Sequence, residues 1–209
     1  MKTPLEKAQK DPESTKARIL IAARKVFGEY GFHGTTTRMI AREAGIDIST
    51  LHYHWGEKGD LYEAAILDMN NDLGQQLKDV EKVIHNLPLD ERMKLSLDIL
   101  IDYLFEHPEI SNLLLYRYFG KTRQEAKIDF KVPEFTADIA RSMGLSKDKN
   151  NVSPEAKMKV LFVMNAIHNF VSGENFFRPM IHQDREEYIK MVKETLKFGL
   201  IPAFTVKQP

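Results

Sequence analysis

The sequence predicts an all-α protein with a small N-terminal head and a larger helical body. Apolar residues recur at three- and four-residue steps through most of the 209 residues, as they do on one face of a helix. No segment shows the strict alternation of a strand, and no repeat or glycine-rich phosphate loop is present. We expect a flexible arm over residues 1–13, a head over 14–62 and a body over 63–209.

Composition narrows the classes of protein and site that are possible. The 30 basic residues (Lys and Arg) equal the 30 acidic ones, so binding to a polyanion would need a local cluster of charge. Cysteine is absent, which excludes disulfides and thiolate metal sites. No apolar run is as long as a membrane span, and the N-terminus lacks the apolar core of a signal peptide. We therefore expect a cytoplasmic protein with no membrane partner.

The arm is followed directly by the first helix of the head. Residues 1–12 are polar, contain two prolines and have no helical period, which predicts a mobile segment. From Ser14 to Tyr30 an apolar face with helical spacing predicts a helix that Gly31 ends. This face consists of Ile19, Ala22, Ala23, Val26, Phe27 and Tyr30.

Two short helices joined by a tight turn are predicted over residues 35–60. Thr36 is the expected N-cap of the first, which runs to Glu43 before Gly45 makes the turn. Asp47 is the expected N-cap of the second, which runs to Trp55. The predicted inner faces consist of Ile40, Ala41 and Ala44, and of Leu51, His52 and Trp55.

The outer face of the second short helix is polar and weakly basic, and consists of Ser49, Thr50, Tyr53 and His54. Such a face suits a helix that reads base edges in the major groove of DNA. The flanking cations are Arg38, Arg42 and Lys58, and residues 14–58 hold seven basic side chains against four acidic ones. We therefore predict a helix-turn-helix that binds double-stranded DNA; the alternative is that the two helices serve only for packing.

This stretch resembles the TetR family of transcriptional regulators over residues 14–62. The matching residues, in order and at family-like spacing, are Ile19, Leu20, Ala23, Phe27, Gly31, Thr36, Ile40, Ala41, Ala44, Gly45, Leu51, Trp55, Lys58 and Leu61. His52 stands where the family generally has Tyr, and Trp55 stands where it generally has Phe. The resemblance implies a homodimer that binds operator DNA, with bodies that typically bind small-molecule inducers.

Eight residues are predicted to contact DNA. Those expected to read or frame base edges are Thr50, Tyr53 and His54. Those expected to hold phosphates are Thr36, Arg38 and Lys58. Ser49 shares the outer face, and Ile48 either contacts a thymine methyl group or packs inward. The lysines of the arm are either part of a frayed terminus or touch DNA outside the major groove.

The body is predicted to be helical, and its longest helix, from Lys58 to Ile84, links it to the head. At about 1.5 Å per residue this helix spans roughly 40 Å, and Gly74 inside it indicates a weak point or a bend. Further helices are expected over residues 88–106, 108–119, 132–143 and 153–177, and from Asp184 to just before Pro202. Residues 121–131 are expected to be helix or loop.

Two of these helices carry more apolar residues than one body can bury. The helix over 153–177 is apolar on nearly every side through its middle, and the last helix adds a further apolar face. Pairing across a two-fold axis would bury both, so we expect a homodimer held by residues 156–177 and 184–203. The dimer would place two reading helices about 34 to 36 Å apart, in successive major grooves.

A small-molecule effector, largely apolar or aromatic, is the other expected partner. Apolar residues with a few polar groups suit a pocket, but taken residue by residue they favour an ordinary helical core, and only the family resemblance favours the pocket. The candidate lining residues are Tyr103, His107, Tyr118, Phe119, Phe135, Met164 and His168. No cofactor or metal is expected, because the sequence has neither a cofactor loop nor a dense cluster of metal ligands.

The predicted function is a ligand-responsive regulator of transcription, a repressor that a small molecule releases from its operator. It is not expected to be an enzyme, because no pairing of a nucleophile with a base is recognisable. Two alternatives remain, a ligand-blind architectural DNA-binding dimer and an α-helical enzyme with a DNA-binding head.

Overall fold

The structure, a computed structural model, describes residues 3–119, 132–148 and 150–205. Within these ranges the secondary structure consists of eleven α-helices and no strand, which confirms the all-α fold class. In chain order they are α1 (Pro4–Lys10), α2 (Thr15–Gly34), α3 (Thr37–Ala44), α4 (Ile48–Trp55), α5 (Lys58–Ile84), α6 (Leu89–Glu106), α7 (Pro108–Phe119), α8 (Val132–Ser142), α9 (Pro154–Ser172), α10 (Glu174–Met180) and α11 (Arg185–Thr205).

Contacts between residues divide the chain into two compact units. The first contains the described residues of 3–72 and 112–119, and the second contains those of 73–111, 132–148 and 150–205. Helices α5 and α7 contribute to both units, so the boundary expected between residues 62 and 63 falls inside α5 and within the first unit. The long helix itself has the predicted bounds.

The segment predicted to be a mobile arm contains a helix, α1, so that prediction is wrong over residues 4–10. A capping box stabilises the N-terminus of α1. The hydroxyl of Thr3 accepts from the backbone N–H of Glu6, and the carboxylate of Glu6 accepts from the backbone N–H of Thr3. Ala8 of this helix is buried, and α1 packs against α2. Packing against a neighbour stabilises a helix that has no apolar period of its own.

Helix α2 does not end at Gly31 as predicted but bends there and continues to Gly34. Gly31 has φ 66° and ψ 177°, a conformation that a residue with a Cβ atom adopts only with strain. The hydroxyl of the buried Thr35 donates to the carbonyl oxygen of Gly31 at 2.7 Å, which ties the chain after the bend back to α2. Tyr30, expected on the inner face, is instead 46% exposed.

The second unit has α9 at its centre, packed against α6, α8, α10 and α11. The helix predicted over 153–177 is interrupted: α9 ends at Ser172 and Gly173 caps it. A Cβ atom at Gly173 would lie 2.2 Å from the ring of Phe177, so the close approach of that ring requires a glycine. The last helix passes through Pro202 to Thr205 instead of ending before it. Residues 121–131, for which helix and loop were both expected, lie outside the described ranges.

None of the helices in the described ranges combines the length and the apolar content that a membrane span requires.

Candidate nucleic-acid interface

Helices α3 and α4 form the predicted helix-turn-helix, with each cap in place. The hydroxyl of Thr36 accepts from the backbone N–H of Met39 at 3.2 Å and so caps α3. Gly45 ends α3 in the left-handed conformation, with φ 65°. Asp47 caps α4 by accepting from the backbone N–H of Thr50 at 2.7 Å. These local bonds satisfy free backbone groups at the ends of the two helices.

The inner face of α4 anchors it to α2. Leu51 is fully buried, and the buried indole of Trp55 donates from Nε1 to the carbonyl oxygen of Lys16 at 3.1 Å. His52 was predicted on this face and is instead exposed, with its Nδ1 2.8 Å from the carbonyl oxygen of Gly56. It lies about 100° around the helix from Leu51, outside the narrow stripe that an eight-residue helix can bury.

The outer face of α4 presents the polar residues that the sequence placed there. Tyr53 is 86% exposed and its ring lies edge-on to that of His54, with 5.2 Å between the ring centres. Ser49 is exposed, while Thr50 and His54 are half-buried. Ile48, for which two roles were open, is half-buried as well. The assignment of these side chains to base edges remains a prediction.

One carboxylate organises the start of this outer face. The hydroxyls of Ser49 and Thr50 donate to Asp47 at 2.5 Å and 2.9 Å, in addition to the capping bond from the Thr50 backbone. These hydrogen bonds stabilise the charged form and lower the pKa of Asp47 to about 2. The sequence identified Asp47 as a cap, but it contained no signal that both hydroxyls would turn toward it.

The basic residues beside the helix-turn-helix have different environments. Arg38 and Arg42 are exposed and make no ion pair with any other residue that the structure describes. Lys58 is half-buried: its Nζ donates to the carbonyl oxygens of Phe32 and Thr35, each at 2.9 Å, and lies 4.3 Å from the centre of the Phe32 ring. Lys58 therefore joins the start of α5 to the junction of α2 and α3, and only one of its three N–H groups is left for a phosphate.

Arg18 is a further positioning residue that the sequence did not reveal. Its Nη2 donates to the carbonyl oxygen of Ala44 at 2.8 Å, which satisfies a free acceptor at the end of α3. Its charge also lies at the negative end of the α3 dipole. Arg18 thus holds α3 against α2 from 26 positions away in the chain, and helical periodicity shows only that it faces outward.

The candidate effector residues fall in different parts of the structure. Phe135, Met164 and His168 are buried in the second unit, where the rings of Tyr103 and His107 also lie 4.7 Å apart between their centres. Tyr118 belongs to the first unit and is exposed. Phe119 ends α7, and its side chain lies outside the described part of the structure. Their role in binding a ligand remains a prediction.

The most polar spot among them is a buried pair formed by His168 and Ser111. Ser111 Oγ lies 2.9 Å from His168 Nδ1, and both residues are buried. Burial disfavours the imidazolium and lowers the pKa of His168 to about 4, so the ring is neutral near pH 7. The sequence did not indicate Ser111, which is one of several polar residues in α7. A separate, open groove of about 520 Å³ between α6 and α11 is lined by none of the candidate residues.

Known proteins similar to this chain are regulators of transcription. A family model described as bacterial regulatory proteins, tetR family, matches residues 19–65. The HTH-type transcriptional repressor SCO4008 of Streptomyces coelicolor is 33% identical over 110 residues, which is 52% of this chain and 52% of that protein. The HTH-type transcriptional regulator UidR of Escherichia coli is 25% identical over 151 residues, 72% of this chain and 76% of that protein. The alignment thus spans about half the length of the first relative.

Solved structures share the fold at low sequence identity. A putative fatty acid metabolism regulator of Clostridium perfringens superposes with a TM-score of 0.65 at 18% identity, over 91% of this chain and 100% of that one. FadR of Bacillus subtilis, solved in complex with stearoyl-CoA, gives a TM-score of 0.60 at 16% identity, over 88% and 98% of the two chains. At these identities the likeness establishes the arrangement of helices.

Proposed function

We propose that this chain, whose residues 19–65 match the model of the tetR family of bacterial regulatory proteins, regulates transcription by inserting α4 into the major groove of operator DNA. The observation that carries the proposal is the two-sidedness of α4. Leu51 and Trp55 fix its inner face, while the outer face presents hydroxyl, phenol and imidazole groups to solvent. An α-helix with its side chains is about 10 to 12 Å in diameter, which fits a major groove about 12 Å wide.

In the proposed complex, exposed cations and backbone groups position the helix, and α4 side chains read the bases. Arg38 and Arg42 lie free beside the reading helix and neutralise phosphates, and the exposed start of α3 at Thr36 contributes a further phosphate contact. Tyr53 and Thr50 reach base edges. The remaining N–H of Lys58 adds a phosphate contact without giving up its two carbonyl partners.

We propose that the protein acts as a homodimer, as the family resemblance implies. Support comes from large apolar side chains that remain exposed on α9, α10 and α11, namely Met158, Phe162, Phe176, Met180, Met191 and Phe198. Phe162 on α9 and Phe198 on α11 are 60% and 84% exposed, and a second copy would remove both from water. Val163 and Ile167, also on α9, are buried within the second unit and belong to its core.

A small apolar molecule is the proposed effector, with release of the operator as the response. The Streptomyces relative is named a repressor, which favours repression over activation here. The Ser111 and His168 pair offers a neutral polar contact inside an apolar unit, which is what orients a ligand in a mostly apolar pocket. Because such a regulator acts on chromosomal DNA, we place its activity in the cytoplasm.

DNA binding is tested by titrating the purified protein with a fluorescent duplex that carries the promoter region beside its own gene. We expect the protein to remain bound to this duplex in the presence of excess unrelated DNA. We expect the Arg38→Ala variant to bind it more weakly. Equal affinity for the promoter and for unrelated duplexes would contradict operator recognition. It would instead favour the architectural DNA-binding dimer.

The effector is sought by thermal shift with a panel of apolar acids, acyl thioesters and aromatic compounds. Each stabilising compound is then added to the operator titration. A true effector changes operator affinity by about 5- to 150-fold, and by linkage the operator weakens the compound by the same factor. Tight binders that leave DNA affinity unchanged would contradict the effector role, and chemical turnover of a binder would favour the enzyme alternative.

A further inference from the structure

Two hydroxyl groups on the outer face of α4 have a fixed hydrogen-bonding polarity. Ser49 Oγ lies 2.5 Å from Oδ1 of Asp47, and Thr50 Oγ1 lies 2.9 Å from Oδ2. An ionised carboxylate only accepts hydrogen bonds, so each hydroxyl donates its single proton to Asp47. What each oxygen still offers to a partner is a lone pair.

Asp47 cannot easily change this arrangement. Its Oδ1 also accepts from the backbone N–H of Thr50 at 2.7 Å, so turning the carboxylate away would uncap α4. The three bonds stabilise its charged form, and the lowered pKa of Asp47 keeps it ionised throughout the neutral pH range. The two hydroxyls therefore stay acceptors under all conditions in which the protein would bind DNA.

We propose that Asp47 determines part of the operator sequence by making Ser49 and Thr50 hydrogen-bond acceptors toward the major groove. The inference rests on the proposed function, since it requires that α4 reads DNA. Adenine N6 and cytosine N4 present amino donors in this groove, whereas guanine and thymine present acceptors at O6, N7 and O4. A lone pair that faces an acceptor gains no hydrogen bond, so these residues select adenine or cytosine on the strand that they face. Asp47 acts through them and need not touch DNA itself.

An isosteric substitution separates this polarity from helix capping. Asparagine is as good an N-cap as aspartate, and in Asp47→Asn the Oδ1 atom can keep the bonds from the Thr50 backbone and from Ser49. Its Nδ2 then takes the place of Oδ2 and donates to Thr50 Oγ1. The Thr50 proton becomes free, and the hydroxyl changes from acceptor to donor while its size and position are retained.

The first experiment selects bound sequences from a random duplex library with the wild type, Asp47→Asn and Asp60→Asn. Asp60 is the matched control, because its carboxylate accepts from the backbone N–H of Glu57 at 3.1 Å and bonds to neither hydroxyl. We expect Asp60→Asn to select the wild-type motif. Asp47→Asn should shift one position of each half-site from adenine or cytosine toward guanine or thymine on the same strand. Selection of the unchanged motif by Asp47→Asn would overturn the inference.

A second experiment uses the wild type and therefore does not depend on the behaviour of Asp47→Asn. In the selected operator, single adenines are replaced by purine and single cytosines by 2-pyrimidinone, which removes only the amino group. We expect a loss of about 3- to 10-fold in wild-type affinity at one such position, the usual effect of one neutral hydrogen bond. The Thr50→Val variant should bind the unmodified operator more weakly than the wild type does. Removing the amino group at that position should then cause no further loss of its affinity.

The outcomes separate the inference from the function on which it rests. If the wild type selects no sequence from the library, operator recognition fails and the inference fails with it. If the wild type selects a motif but no amino group in it matters to Thr50, only the inference is overturned. The first result is read from the selected sequences and the second from affinities, and circular dichroism confirms that each variant keeps its helices.

Discussion

Arg38 and Lys58 are both basic residues of the first unit, but only Lys58 also contributes to the stability of the fold. Alanine substitutions at the two positions allow this difference to be measured. Arg38 is exposed and makes no ion pair within the described residues, so Arg38→Ala should leave stability unchanged. It should weaken binding to all duplexes and lower the slope of log affinity against log salt by about one, because one phosphate contact is lost.

Lys58→Ala should weaken DNA binding and also destabilise the fold. The substitution removes the donor to two backbone carbonyls, those of Phe32 and Thr35, and we expect a loss of about 1 to 3 kcal/mol in the free energy of unfolding. Urea denaturation and salt-dependent titration of both variants distinguish the two effects. If Lys58→Ala is as stable as the wild type, the structural role assigned to Lys58 is wrong.

His168 makes the stability of the protein depend on pH in a defined direction. Its pKa is about 4 in the folded state against 6.5 for the free side chain, so between these values the unfolded chain binds more protons. Stability is therefore complete above about pH 6.5 and falls as the pH is lowered toward 4, by about 1.4 kcal/mol per pH unit at most. Urea midpoints measured across this window in the wild type give the slope.

His168→Gln supplies the comparison, because glutamine does not titrate in this window. Its unfolding free energy should vary less with pH between 6.5 and 4 than that of the wild type. His85→Gln changes an exposed histidine in the same unit and is the control, expected to keep the wild-type slope. Identical slopes in wild type and His168→Gln would show that His168 is not held neutral by burial.

At the scale of helices, neighbouring positions on α9 separate the core from the proposed dimer surface. Phe162 is 60% exposed and Val163 is 8% exposed. The Phe162→Glu variant should keep the helical content of the wild type and still unfold in a cooperative thermal transition. It should sediment as a monomer where the wild type sediments as a dimer. Val163→Glu buries an unpaired carboxylate and should cost several kcal/mol of stability, visible as loss of the folded state by circular dichroism.

Phe198→Glu on α11 repeats the interface test on a second helix, since Phe198 is the most exposed large apolar side chain described in the second unit. Lys190→Glu, at an exposed polar position of the same helix, is its control for added negative charge. A wild type that sediments as a monomer at micromolar concentration would remove the basis for both interface variants. A dimer that survives both substitutions would place the interface elsewhere.

For the whole molecule, two-fold symmetry predicts how the operator must be spaced. Two copies of α4 in successive major grooves lie about 34 to 36 Å apart, so the half-sites should repeat after one turn or a multiple of it. Insertion of five base pairs between the half-sites turns one of them to the opposite side of the duplex. We expect this duplex to bind no better than a single half-site, whereas insertion of ten base pairs restores the phase. Equal affinity for all three spacings would contradict simultaneous binding by two heads.

The sequence by itself determined the features that depend on neighbours in the chain. The bounds of α5 follow from apolar periodicity. The caps at Thr36 and Asp47 follow from hydrogen bonds between a side chain and the backbone N–H three residues later. The turn at Gly45 follows from the one residue type that adopts φ 65° without strain. The resemblance of residues 14–62 to the TetR family drew on the same local pattern, and the matched family model spans residues 19–65.

Only the tertiary structure decided which partner each side chain found across the fold. Arg18 reaches the end of α3, Lys58 turns to two backbone carbonyls, and His168 meets Ser111 from 57 positions away. It also decided that α9 buries Val163 and leaves its neighbour exposed. Helical spacing gives a residue its side of a helix but not what packs there, because the neighbours come from distant segments that meet only when the chain folds.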